Sequence, residues 1–272
     1  TRSWPRSRRS SASGAADGNG GFRTSHFDRR FHPGSFDPRS TVMSHPLDRA
    51  VWNALTTRLS SFVTADSDVH AVRIDPEVGV FLAAADTSPA SVARLSELAH
   101  RHPGAGLVEL EGSPIAAVLP VGVAVARRIP LVQMTATTLT PGGRDLPFET
   151  LTEADAPAML ALATLTQPGP FRSATRNLGP FIGVKRDGEL IAMAGRRLRV
   201  DRFTELSGVC THPDHRGQGL AAALSRAVIG EILSTGEGVF LHAFDGHDAT
   251  IALYRSLGFE IRARMTYTIL AD

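Results

Sequence analysis

The 272-residue sequence contains one cysteine, Cys210, and one lysine, Lys185, among its 29 basic residues. A single thiol excludes an internal disulfide and suits a reducing compartment, so a cytoplasmic location is expected. No apolar run approaches the roughly 18 residues that span a bilayer, so no membrane association is expected. The first residues lack the apolar stretch of a secretory signal. Arginine standing where lysine is usual fits a GC-rich bacterial genome and carries no mechanistic information.

What is present supports a sizeable folded body. At 42% apolar residues, the chain can bury one large core or two smaller ones. The net charge of +2 hides an asymmetry. Residues 1–42 hold eight arginines against Asp17, Asp28 and Asp37, a local charge of +5 that leaves −3 for the rest. This segment of Arg, Ser, Gly and Pro cannot bury an apolar face, so a disordered basic tail is expected and no nucleic-acid partner is assigned. Met43 opens a stretch that reads as an ordinary protein start, which would make the tail non-native.

Beyond the tail, periodicity divides the chain at residues 140–144, a Pro- and Gly-rich linker. Residues 47–62 place Leu47, Val51, Leu55 and Leu59 on one helical stripe. Strands are expected at 69–74, 78–84, 107–111 and 131–138, with a helix from Pro89, capped by Ser88, to about Arg101. Residues 43–140 thus form a small α/β lobe. In the second half, strands are expected at 148–151, 181–185, 189–200, 203–211, 239–243 and 261–270. Helices are expected at 153–166, from the glycine-rich loop to about Leu233, and around Tyr254, with a short helical piece to Leu178. Asp187–Gly188 marks a hairpin.

The stretch from Val209 to Leu224 reads as strand end, proline-marked turn, glycine-rich loop and helix start. Arg216, Gly219 and Ala221 stand in the spacing R-x-x-G-x-A. Small residues there let a ligand approach the backbone, and the unpaired N–H groups of a helix start hold an anion. The stretch from Leu241 to Phe259 ends in Leu253, Tyr254, Gly258 and Phe259. The two together resemble the pyrophosphate loop and the N-x-x-A-x-x-L-Y-x-x-x-G-F segment of the GNAT superfamily of N-acetyltransferases. His247 stands where that family usually has Asn, and Thr250 where it has Ala. The resemblance covers residues 146–272. For residues 43–140 it is weaker, reminiscent of the degenerate lobe of glycine N-acyltransferase-like proteins.

The resemblance implies an α/β GNAT fold: a mixed, mostly antiparallel sheet flanked by helices, plus the smaller N-terminal lobe. It also implies acetyl-CoA as co-substrate, held by Val209, Cys210, Thr211, Arg216, Gly217, Gln218, Gly219, Leu220, Ala221 and His247. The acceptor would be a primary amine, on a small molecule or a peptide N-terminus, attacking directly in a ternary complex. A homodimer is compatible with the sequence. Tyr254 is the candidate proton donor to the departing thiolate, a phenol being protonated at pH 7; otherwise it is a packed aromatic. Glu205, on an otherwise apolar strand, is the candidate base with a raised pKa; otherwise it is a solvated edge charge. His242 is the other candidate base. Phe171 and Arg172, in a proline-rich loop, could line the acceptor site. His212 and His215 lack a third ligand, so no metal is expected. Cys210 reads as a small buried hydrophobe.

Two other classes stand beside this one. Gly217, Gly219 and Ala222 satisfy a loose G-x-G-x-x-A dinucleotide pattern, whose acidic residue would have to be Asp245. A non-catalytic acyl-CoA sensor would be consistent with the departures at His247 and Thr250.

Overall fold

Alternation and periodicity become elements in a computed structural model that describes residues 45–271. The expectations for residues 1–42 and for Met43 lie outside the described residues. The N-terminal half runs α1 (Ala50–Leu55), β1 (Ala71–Arg73), β2 (Leu82–Ala84), α2 (Pro89–Arg101), β3 (Gly106–Leu110) and β4 (Val125–Ala136). The C-terminal half runs β5 (Glu149–Thr150), α3 (Ala156–Thr166), β6 (Phe181–Arg186), β7 (Glu189–Val200), β8 (Phe203–Thr211), α4 (Leu220–Ser234), β9 (Gly238–Phe244), α5 (Asp248–Ser256) and β10 (Glu260–Leu270).

Local chemistry accounts for most boundaries. Ser88 accepts the Ser91 N–H at the start of α2, with Pro89 at its first position. Asp187 and Gly188 take φ of 52° and 84° between β6 and β7, the two positive values that a tight hairpin requires. The helix expected over 47–62 is shorter. The Thr56 and Thr57 hydroxyls turn back onto the Trp52 and Asn53 carbonyls, and α1 stops at Leu55. Its stripe of Leu47, Val51, Leu55 and Leu59 is nevertheless buried.

The main sheet has the order β3-β10-β4-β9-β8-β7-β6-β5, and every pairing is antiparallel except β8 with β9. It is the expected mixed, mostly antiparallel sheet flanked by helices. On one face α4 and α5 bury Leu224, Val228, Ile229, Ile232 and Ile251 against Val132, Met134, Val239 and Leu241. At ~1.5–3 kcal/mol per fully buried aliphatic side chain, this seam is a principal source of stability. On the other face α1 packs Val51 and Leu55 with Leu131, Leu198, Phe240 and Tyr267. β1 and β2 form a separate two-stranded sheet.

The linker at 140–144 does not separate an N-terminal lobe from a C-terminal one. β4 precedes it, yet lies between β9 and β10, which follow it. The described residues, 45–271, accordingly belong to one compact unit. The reason lies in β4 itself: Leu131, Val132 and Met134 are buried on both faces, so the strand needs partners along both edges. Among the described residues no helix is long and apolar enough to cross a membrane.

Candidate active site

The parallel pairing of β8 with β9 lasts for only three residues, Phe203–Glu205 against Gly238–Phe240. Beyond Glu205 the strands diverge. β8 stays with β7 up to Thr211↔Ala192, while β9 stays with β4 up to Phe244↔Leu131. Gly208, at φ 63°, sits beside the irregular β7–β8 register, where a bulge bends a strand. The divergence opens a cavity of about 640 Å³, lined by Leu206–Thr211 on one side and by His242, Ala243 and Phe244 on the other. Among the described residues the β8 edge facing this gap has no partner strand there, so an extended ligand could pair with its backbone.

One end of the cavity is the glycine-rich loop. Gly217 and Gly219 both have φ of 76°, and a Cβ on either would meet no protein atom within 4 Å. The backbone therefore takes the left-handed form that glycine allows and leaves open space above it. α4 begins directly after Gly219 with no side-chain cap, so its first N–H groups are free to meet an anion. The Thr211 hydroxyl, buried at the cavity wall, has no hydrogen-bond partner among the described residues. An anion cradle continued by an unpartnered strand edge and hydroxyl suits a long ligand that carries phosphate at one end.

Of the predicted binding residues, Val209, Cys210, Thr211, Arg216, Gly217, Gly219, Leu220, Ala221 and His247 line the cavity. Gln218 is not among its lining residues; its Oε1 accepts from Arg186 Nη2 at 3.2 Å. The His247 ring packs on Phe244 at 5.2 Å between centroids, and Thr250 lines the wall beside it. Cys210 is buried, and burial pushes its thiol up to about 11, which leaves it a packed hydrophobe rather than a nucleophile. Asp245 pairs with Arg264 instead of serving a ribose. Among the described residues no three His, Cys, Asp or Glu side chains are placed to hold a metal ion.

Glu205 corrects an expectation. It is fully buried, as a base in an apolar strand would be, but its pKa is lowered to about 2, not raised. Desolvation opposes the charge, and the Arg197 guanidinium more than offsets it, with hydrogen bonds from Arg197 and His242. Arg197 Nε and Nη2 donate to Glu205 Oε2 and Oε1 at 2.8 Å each, and the Leu198 N–H adds a third bond at 3.2 Å. Glu205 is also not among the residues that line the cavity.

His242 is engaged at both ring nitrogens. Its Nδ1 lies 2.9 Å from Glu205 Oε1 and its Nε2 lies 3.0 Å from Gln133 Nε2. Donor chemistry assigns the protons. Arg262 Nε, which can only donate, bonds Gln133 Oε1 at 2.6 Å, so the Gln133 amide nitrogen must face His242. His242 Nε2 is then the acceptor, its proton sits on Nδ1, and Glu205 accepts that proton's hydrogen bond. Gln133 Nε2 also donates to the Leu47 carbonyl at 3.0 Å, and Arg262 Nη2 to Asp48 Oδ1 at 2.8 Å. A continuous buried chain thus runs from Arg197 to the residues that lead into α1. Neither candidate base keeps a lone pair for an incoming amine.

Tyr254 lines the cavity and is buried, and burial, helped by neighbouring Cys210, pushes its phenol up to about 12. Its ring is held edge-on to Phe259, centroids 5.8 Å apart. Pro168, Gly169 and Pro170 line the cavity, but Phe171 and Arg172 do not. Phe171 instead packs against Phe181 at 5.7 Å. Sequence reasoning missed Arg197, Tyr267 and Gln133. The chain has two tyrosines, and both line the cavity, which is the one signal that could have singled out Tyr267.

A family model described as FR47-like protein matches residues 181–268, the span that carries both motifs. No curated protein matches the chain. Among solved structures, the chain is similar to one described as an acetyltransferase from the GNAT family of Novosphingobium aromaticivorans. The two are 41% identical, with 84% of this chain and 99% of that chain covered and a TM-score of 0.75. A GCN5-related N-acetyltransferase from Kribbella flavida is 20% identical over 83% of this chain and 96% of its own, with a TM-score of 0.60, and shares the fold.

Proposed function

Given that the chain belongs to the GNAT family of acetyltransferases, we propose that it transfers an acetyl group from acetyl-CoA to a primary amine by direct attack in a ternary complex. The observation that carries this reading is the gap between β8 and β9, with a glycine cradle and a helix start at one end and Tyr254 on its wall. Acetyl-CoA would supply the activated acyl thioester. The N–H groups of Gly217–Ala221 would bind its pyrophosphate, while the Thr211 hydroxyl and the free β8 edge would hold the arm between phosphate and thioester.

Tyr254 would face the departing sulfur. A phenol at about 12 stays protonated throughout the neutral range. A thiol titrates near 8.5, so complete proton transfer from this phenol to a thiolate runs uphill. Tyr254 therefore acts by hydrogen bonding to the developing negative charge, which strengthens as the thiolate departs. Glu205 and His242 are positioning residues in this reading. They hold Arg197 and the α1 side of the cavity in place and exclude water from the sheet.

Calorimetry with acetyl-CoA tests the loop. Gly219→Glu places a side chain and a negative charge in the cradle and should weaken binding at least tenfold, ~1.4 kcal/mol. Unchanged affinity in a folded variant removes the assignment. The saturation of Glu205 and His242 favours one other reading, an acyl-CoA-binding module without transfer. Binding without acetylation of any amine selects it.

A further inference from the structure

At the end of the cavity facing α1, Val51, Phe81, Val108 and Leu131 meet two polar side chains, Arg197 and Tyr267. Arg197 spends Nε and Nη2 on Glu205 and stands over the Phe81 ring at 5.0 Å. Its Nη1 has no hydrogen-bond partner among the described residues, and a guanidinium carries five donors. The surroundings carry a net positive charge. The ionised Glu205 balances Arg197, so the excess comes from Arg73 and Arg172. Arg73, behind Phe81, is buried with Nη1 on the carbonyls of Ile74, Gly79 and Phe81, and has no ion-pair partner within 4 Å among the described residues. Arg172 adds its charge to those of Arg197 and Arg73 around Tyr267, and Asp75 is the acidic group that acts on Arg73.

We infer that this end receives the acceptor, and that the acceptor is an amine bearing a carboxylate beside a compact apolar body, an apolar α-amino acid being the simplest example. The inference rests on the acetyltransferase reading and deepens it. A carboxylate accepts from Arg197 Nη1 and the Tyr267 hydroxyl, donors that an uncharged apolar ligand would leave desolvated and unpaired. The apolar body covers Val51, Val108 and Leu131. A polyamine brings further positive charge beside Arg73 and Arg172, with Arg197 already balanced by Glu205, and is repelled. The same cations disfavour the ammonium form of the bound amine, which serves where neither Glu205 nor His242 has a free lone pair. The nitrogen lone pair forms the amide C–N bond as the thioester C–S bond breaks. Of the two protons that the ammonium loses, one goes to solvent and one to the departing sulfur.

The test follows thiol release from acetyl-CoA by the full chain with L-leucine and L-phenylalanine, with isoamylamine and 2-phenylethylamine as carboxylate-free counterparts, and with spermidine. Each amino acid should show kcat/KM at least tenfold above its counterpart, with spermidine lowest. Tyr267→Phe should raise KM for the amino acids and lower it for the counterparts, which no longer bury an unpaired hydroxyl, so that the preference for the carboxylate shrinks. Counterparts or spermidine turned over as well as the amino acids overturn this inference and leave the transferase reading intact. Thiol release with none of the five, despite acetyl-CoA binding, overturns this inference, and the transferase reading falls with it only when a wider set of amines is also left unacetylated.

Discussion

Tyr254 and Glu205 reach opposite ends of the titration range for physical reasons that a single pair of substitutions can separate. Desolvation is the largest influence on the phenol, with Cys210 adding to it, and in the proposed reaction its hydroxyl acts only when charge develops on sulfur. Tyr254→Phe should therefore lower kcat by about 10- to 100-fold, the worth of one hydrogen bond to a charged group, with acetyl-CoA affinity nearly unchanged. Steady-state kinetics beside calorimetry check both halves, and a kcat within twofold of the parent dismisses the role. Glu205 stays ionised because Arg197 grips it through two bonds. Glu205→Gln removes that charge and leaves Arg197 buried and unpaired, at a cost of about 3–5 kcal/mol. If Glu205 positions rather than accepts protons, activity in the surviving folded fraction is depressed evenly across pH. Recovery at high pH would instead identify it as the base.

The divergence of β8 from β9 is decided by pairing that stops, and Gly208 is where β8 departs from regular geometry. A Cβ at Gly208 would lie 2.7 Å from the Phe181 ring, and φ of 63° is strained for any side chain. Gly208→Ala should cost about 1–3 kcal/mol and weaken acetyl-CoA binding, since relief of the strain pulls the β8 edge out of line. Thermal melts and calorimetry read the two effects, and a variant matching the parent in both would show that the bulge is incidental. By contrast, α4 owes its place to its buried seam and its start to Gly219, features visible in the residue order itself.

Two buried glutamates contribute to the pH response of the fold in opposite directions. Glu109 on β3 is pushed up to about 7 by burial, against the pull of Arg49 at 3.7 Å. With its folded pKa above the unfolded one, its contribution is complete below about 4.5 and lost as pH rises to about 7. Glu205, depressed to about 2, contributes fully above about 4.5 and loses that contribution as pH falls towards 2. Glu109→Gln should therefore gain on the parent as pH goes from 5 to 8, by up to ~3 kcal/mol for a shift of this size. That corresponds to about 2–4 °C in Tm per kcal/mol. A Tm difference that does not change with pH would mean that Glu109 is already ionised in the folded protein.

What the residue order determined was local. Paired glycines before an apolar 3.6-residue pattern specify the cradle and α4. A proline after serine starts α2, Asp187–Gly188 turns a hairpin, and the positions of Arg216 and of Tyr254 before Gly258–Phe259 located one wall of the cavity. Each is a property of a few consecutive residues, so propensity and spacing suffice to read it. The protonation of Glu205 and the integration of β4 were decided only in three dimensions. A carboxylate in an apolar strand reads as a raised pKa until Arg197, eight residues away on the neighbouring strand, is brought within 2.8 Å. Gln133 and Arg262 come from strands 109 and 20 residues from His242, and their donor geometry alone sets its tautomer. Likewise β4 reads as the last strand of a first lobe, but a strand apolar on both faces is stable only between two others, and those two, β9 and β10, lie at the far end of the chain.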